Sequence, residues 1–330
     1  MRLGGHMDAP QSNGSRVEHQ RRITEKLTRE LGHEVVAFLN DPTVIEIMLN
    51  PDGSLWVEQL GKPMRKFGRM GAAQAESLMA TVASTLRTQI TVHNPILECE
   101  LPLDGSRFEA LIPPLVSGPT FTIRKKALSV FSLENYVDQG IMTNEQRIVI
   151  ERSVCQRKNI LVVGGTGSGK TTLTNAIIRH MSDVAPEDRL AIIEDTGELQ
   201  CSAPNAVLMR VVAHVDMTRL LKATMRLRPD RIIIGEVRDG AALALLKAWN
   251  TGHPGGIATI HANSASAGLI RMEQLVAEAT QASMQTLIAE AINLIIFIAK
   301  EGRGRIVKDV IMIMGYDGQN YVINQGNVYQ

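Results

Sequence analysis

The stretch ILVVGGTGSGKTTLTNAIIRHM, Ile160 to Met181, runs from a β-branched apolar segment through glycines at 164, 165, 167 and 169 into an apolar pattern of helical spacing. Glycine weakens a strand or a helix, so a cluster of glycines between the two serves something other than packing. Gly164 to Thr171 fit G-x-x-x-x-G-K-[ST] in the context that motif requires, a strand before it and a helix after it. Without side chains, successive backbone N–H groups can turn toward a polyphosphate, and the helix N-terminus adds a positive dipole end. Gly164, Gly165, Thr166, Gly167, Ser168, Gly169, Lys170, Thr171 and Thr172 are therefore the candidate phosphate cradle. Lys170 is placed to reach the β and γ phosphates, and the Thr171 hydroxyl to ligate Mg²⁺. The plain alternative, a Gly-rich turn, accounts for neither the lysine nor the threonine.

The pattern continues outward from this motif. RLAIIED, RIIIGEV, GIATIHA and LIIFIAK are apolar strands separated by helical runs such as MTRLLKATMRL and AALALLKAW. Such alternation specifies an α/β domain whose parallel sheet is covered on both faces. The tail RIVKDVIMIMGYDGQNYVI reads as an antiparallel hairpin that finishes the sheet. LIAEAINLIIFIAK, Leu287 to Lys300, is too short to span a membrane and reads as a helix feeding a buried strand.

Open α/β sheets bind ligands at the carboxyl ends of their strands. Glu194 and Asp195 end one strand, and Glu236 comes just after another. A carboxylate there can orient water or accept its proton, or hold Mg²⁺ beside the phosphates. His253 lies on the Gly-rich loop TGHPGG, where a satisfied structural histidine is the bland reading, and His261 at a strand end, where it could sense a γ-phosphate.

The first part of the chain is patterned differently. A single helix is expected over Val17 to Leu39, and another over Ala72 to Arg87. VIEIMLN, SLWVEQL, ILECELPL and RFEALIPP read as strands, with Asp52-Gly53 and Asp104-Gly105 as hairpin turns. The expected organisation is a disordered segment 1–17, a smaller α+β N-terminal domain 18–126, a linker 127–143 with one short helix, and the α/β domain 144–330. Arg107 and Arg124 belong to the first domain, where exposed arginines are usually solvated.

The chain of 330 residues carries a net charge of +1 with acids and bases interspersed, so no global field favours nucleic acid. Stable nucleic-acid binding is not expected. The three scattered cysteines, Cys99, Cys155 and Cys201, exclude a disulfide framework and a thiolate zinc site, and each reads as a small buried apolar residue in a reducing cytoplasm. The opening segment has no apolar core of a signal peptide. The helix carrying Arg21, Arg22, Lys26 and Arg29 is at most a peripheral membrane-surface candidate.

Taken together, GGTGSGKT, IIEDTGEL, RPDRIIIGEVRDGAA and TGHPGGIATIHANSA resemble the four ordered boxes of the type II and type IV secretion ATPases: Walker A, Asp box, Walker B and His box. FTIRKKA and the wording of the Walker B segment resemble the conjugative-transfer branch, the TrbB-like proteins. The resemblance implies a RecA-like P-loop NTPase domain preceded by the N-terminal domain. It also implies ATP and Mg²⁺ as cofactors, a homohexameric ring, inner-membrane secretion components as partners, and a cytoplasmic site at that membrane. By the same likeness Glu194 is the general base, Glu236 positions Mg²⁺ together with Thr171, and His253 and His261 form the His box. Arg107 and Arg124 fall where the family's N-terminal domain supplies arginines to the nucleotide. The missing tetracysteine module disfavours the type II branch. The function implied is an ATP-hydrolysing motor of a conjugative type IV secretion system, energising pilus biogenesis or DNA transfer. The alternatives are a type IV pilus extension or retraction ATPase and, in another class, a nucleotide-gated structural subunit with little turnover.

Overall fold

In the computed structural model, which describes residues 13–59, 62–125, 130–212, 214–302 and 304–325, the chain divides into two compact units, Met1–Leu128 and Ser129–Gln330. The first unit opens with α1 (Asn13–Leu31) and α2 (His33–Asn40). The apolar period predicts one continuous helix here. Gly32, at φ 82°, interrupts it, and Leu27, Leu31, Val35 and Leu39 are buried from both sides of the break. Of the segment expected to be disordered, residues 1–12 lie outside the described residues, and α1 begins at Asn13. On α1, Arg21 and Arg22 pair with Glu18, and Lys26 with Glu30, so these three basic side chains sit in a mixed-charge face.

The strands β1 (Val44–Leu49), β2 (Ser54–Gln59) and β3 (Arg65–Arg69) precede α3 (Ala72–Thr85), and β4 (Ile96–Glu100), β5 (Arg107–Leu111) and β6 (Thr120–Arg124) come after it. They form one antiparallel sheet in the order β3-β2-β1-β6-β5-β4. Period-two alternation turns Phe108, Ala110, Phe121 and Ile123 inward, onto Leu78, Met79 and Val82 of α3. Arg107 and Arg124 therefore take the opposite face. The strand β3, RKFGR, has no apolar alternation and is not legible as a strand in the sequence.

The second unit contains α4 (Leu133–Asp138), α5 (Asn144–Cys155), β7 (Ile160–Val163), α6 (Lys170–Val184), β8 (Leu190–Glu194), β9 (Ala206–Arg210), α7 (Met217–Thr224), β10 (Arg231–Ile234), α8 (Ala241–Asn250), β11 (Ile257–Ile260), α9 (Ala265–Ala277), α10 (Gln285–Ala291), β12 (Leu294–Glu301), β13 (Gly304–Tyr316) and β14 (Tyr321–Gln325). Their sheet runs β14-β13-β12-β7-β11-β10-β8-β9, parallel from β12 to β9 and antiparallel at β12-β13-β14. Every position of β7, β8, β10 and β11 is buried, as strands covered by helices on both faces must be. One core lies under α7 to α10 and a second under α4 to α6.

Of the segment read as a linker, residues 127–129 lie outside the described residues; beyond them, Leu133, Tyr136 and Met142 are buried in the second unit's core. Capping boxes at Ser132/Asn135 and Thr143/Gln146 start α4 and α5. Cys155 is exposed rather than buried, because it ends the amphipathic α5, whereas burial pushes the Cys99 thiol up to about 12. No helix among the described residues is long and apolar enough to cross a membrane.

Candidate functional site

Parallel pairing of β7 with β11, and of β8 with β10, brings the carboxyl ends of these strands to one edge. Val163 lies opposite Ile260, and Ile234 opposite Ile193. The residues just beyond the strand ends therefore gather there: the glycine loop after β7, His261 after β11, Glu236 after β10 and Asp195 after β8.

The loop 164–169 enters α6 through Gly167 and Gly169, whose φ values of 69° and 96° side-chain-bearing residues rarely adopt. Lys170 is buried, and its Nζ donates to the carbonyls of Gly164 (2.9 Å) and Gly165 (3.1 Å). The same ammonium is 3.2 Å from His261 Nδ1. An ammonium can only donate, so Nδ1 accepts and Nε2 carries the ring proton. Nε2 lies 3.0 Å from Glu236 Oε1, so the proton is donated to that carboxylate. The other Glu236 oxygen accepts from Arg238 Nη2 at 2.9 Å, and Arg238 Nη1 is 3.2 Å from Asp195. The four strand ends thus share one polar chain, Lys170, His261, Glu236, Arg238 and Asp195. Burial opposes ionisation of Glu236, but the hydrogen bond and charge of Arg238 outweigh it and hold the carboxyl below its ordinary range. The buried Ser168 hydroxyl has no hydrogen-bond partner among the described residues.

Glu194 is 4 % exposed. Its Oε2 accepts from the backbone N–H of Glu198 (2.7 Å) and Leu199 (3.0 Å), which curl the adjoining loop around it. Burial raises its pKa, and these two bonds only partly offset that. Asn175, buried in α6, holds the same loop by accepting from Gln200 N–H (2.9 Å) and donating to the Glu198 carbonyl (3.2 Å). Neither Asn175 nor Arg238 stands out in the sequence as a site residue. The available signal for Asn175 is a polar residue on the apolar face of the helix that leaves the glycine loop.

Gly235 touches this arrangement directly, because a Cβ there would lie 2.8 Å from Glu194 Cβ. Gly235→Ala is expected to displace Glu194 and lower turnover by about 10²-fold, the typical cost of an ångström-scale misplacement, while the fold survives. Steady-state turnover assays alongside circular dichroism measure both.

His253 is not brought to this edge. It precedes β11, at the amino end of the strand, whereas the glycine loop leaves the carboxyl end of β7. That opposite edge is a structural seam: Asn159 binds the N–H groups of Gly255 and Gly256, and the buried Arg231 meets Asp188 at 2.6 Å. In the first unit, Arg107 and Arg124 are direct cross-strand neighbours, with Glu109 3.8 Å from Arg107 and Glu46 3.6 Å from Arg124. Well separated in sequence, they become one guanidinium pair on the sheet face.

The chain matches the model of the type II/IV secretion system protein family over residues 29–302. It is 52% identical over 302 residues to the probable conjugal transfer protein TrbB of Sinorhizobium fredii, covering 92% of this chain and 93% of that one. It is 33% identical over 287 residues to the type IV secretion system protein VirB11 of Bartonella quintana, covering 74% of this chain and 79% of that one. The Legionella pneumophila ATPase DotB shares the fold, with a TM-score of 0.60 at 18% identity over 93% of this chain and 83% of that one. With a strand, a glycine cradle and a buried lysine at the head of its sheet, the chain belongs to the type II/IV secretion system protein family, among its conjugal-transfer ATPases.

Proposed function

We propose that this chain is a Mg²⁺-dependent ATPase motor of a conjugative type IV secretion system, energising pilus biogenesis or DNA transfer. The observation that carries the reading is the single edge where cradle, lysine and two carboxylates with opposite pKa shifts converge. Opposite shifts on neighbouring acids separate an acid-base role from an ionic one. Glu194, pushed up by burial, suits a proton acceptor. Glu236, kept ionised, suits a cation.

The phosphates of ATP would lie on the N–H groups of residues 164–172, and Lys170 would exchange its carbonyl and His261 contacts for the β and γ phosphates. A water oxygen then attacks the γ-phosphorus, the bond to the β–γ bridging oxygen breaks, and the water proton passes to Glu194. Thr171 and Glu236 would hold Mg²⁺, which neutralises charge on the phosphate oxygens. His261, joined to both Lys170 and Glu236, registers whether the lysine has turned to the phosphates. Glu236→Gln is expected to shift the Mg²⁺ requirement for turnover upward while nucleotide binding without metal is kept, as Mg²⁺ titration of activity and of ADP binding will show.

The further roles rest on the resemblance and on the Arg107–Arg124 pair. Positive charge from the N-terminal domain is supplied to the nucleotide of the same or a neighbouring subunit, within a homohexameric ring at the cytoplasmic face of the inner membrane. Arg124→Ala is expected to lose on the order of 10³ in turnover while keeping most nucleotide affinity. Specific activity should rise with protein concentration, because a head-to-tail interface closes into a ring. Mixing Arg124→Ala with Lys170→Ala restores some activity if the arginine acts in trans; none in rings shown to be mixed refutes that.

A further inference from the structure

The hairpin β12–β13 lies against the glycine loop, and its side chains there are cations that the four sequence boxes do not contain. The Ile298 carbonyl would be 2.3 Å from a Cβ on Gly164. Arg305 crosses Gly169 so closely that a Cβ there would meet its Cδ at 2.9 Å and its Nε at 3.3 Å, and Lys300 Nζ would be 4.0 Å from a Cβ on Gly167. Lys300 and Arg305 are direct cross-strand partners. Like charges placed opposite each other destabilise a strand pair. Of the two acids on this hairpin, Glu301 lies 3.3 Å from Lys308 and Asp309 stands opposite Phe297, away from the Lys300–Arg305 pair. Arg305 Nε is buried with no hydrogen-bond partner among the described residues, which costs free energy unless a ligand supplies one.

We propose that Lys300 and Arg305 form a second cationic wall of the nucleotide site and bind the phosphates opposite Lys170. The inference rests on the glycine loop being the ATP site. An anion in the cradle would neutralise two facing cations that have no ion-pair partner among the described residues, so nucleotide binding is coupled to the register of the hairpin that finishes the sheet. The competing account is that Arg305 only covers Gly169 with its methylene stem. The two accounts predict opposite behaviour without nucleotide. A packing role makes Arg305→Ala less stable, whereas an anion-binding role leaves the melting temperature unchanged or raises it, because facing like charges are removed.

The experiment uses the full chain, Arg305→Ala and Lys300→Glu. It measures fluorescent-ADP affinity, its displacement by inorganic pyrophosphate, and the nucleotide-free melting temperature. Arg305→Ala is expected to weaken ADP and pyrophosphate together by about 10- to 100-fold, the effect of a charge-assisted hydrogen bond, with the melting temperature held or raised. Lys300→Glu, which creates a cross-strand ion pair with Arg305, is expected to weaken both ligands without loss of stability. Wild-type affinity in both variants overturns the inference. So does loss of affinity accompanied by a lowered melting temperature in both, and so does loss of ADP binding with pyrophosphate displacement unchanged. A wild-type chain that binds no ADP overturns the ATPase reading itself, an outcome distinct from these.

Discussion

Lys170→Ala is expected to bring ATP hydrolysis down to background. Its ammonium is the buried cation at the head of α6, bonded to the Gly164 and Gly165 carbonyls and 3.2 Å from His261 Nδ1. Removing it takes away the charge that meets the β and γ phosphates, and no other group on α6 can replace it. Far-UV circular dichroism should be unchanged, because Lys170 stands at the first helical position and contributes little to either apolar core. A radiometric assay of γ-phosphate release decides the matter, and turnover like wild type would end the motor reading. His261 should report the change independently, since its Nδ1 loses a hydrogen-bond donor while Glu236 still holds the proton on Nε2. Nitrogen NMR of the labelled imidazole will show the Nδ1 resonance shifted in the variant with the Nε2–H tautomer retained.

Glu194→Gln is expected to lose about 10²- to 10⁴-fold in turnover, the usual contribution of a positioned general base, while ATP with Mg²⁺ still binds. It should also be more stable than wild type at neutral pH. Burial raises the Glu194 pKa in the folded chain, so stability from this group is full below the unfolded carboxylate pKa and is lost as pH rises through the folded one. Burial disfavours the ionised carboxylate relative to the neutral acid. Glutamine removes that cost and keeps an oxygen for the N–H groups of Glu198 and Leu199. A gain on the order of 1 kcal/mol would raise Tm by ~2–4 °C for a domain of this size. The gain should vanish below about pH 4, where wild-type Glu194 is protonated in both states. Melting curves at pH 7 and pH 4 measure it, and equal shifts at the two values would refute the burial argument. Loss of activity with a gain of stability marks a residue kept for chemistry rather than for the fold.

Local chemistry that repeats at a fixed spacing was legible in the residues alone. The apolar runs around Ile160, Leu190, Arg231 and Ile257 determined a buried parallel sheet, because only strands covered on both faces are apolar at successive positions. Strand, glycines and lysine at 160–171 determined a phosphate cradle, because that geometry depends on neighbours in sequence. The break at Gly32 was legible in principle but was overridden by an apolar period that continues through it. The strands β3 and β9 were not, since at the sheet edges neither burial nor alternation constrains them.

Tertiary structure decided whatever depends on which strand lies beside which. Register put His261 against Lys170 and Glu236, and left His253 at the other end of β11. Antiparallel pairing turned Arg107 and Arg124 into one pair, and folding the β12–β13 hairpin over the glycine loop delivered Lys300 and Arg305 to it. Burial of Glu194 and the arginine clasp on Glu236 gave two similar carboxylates opposite pKa shifts. Desolvation and Coulomb fields act through space, and space is assigned only when the sheet closes.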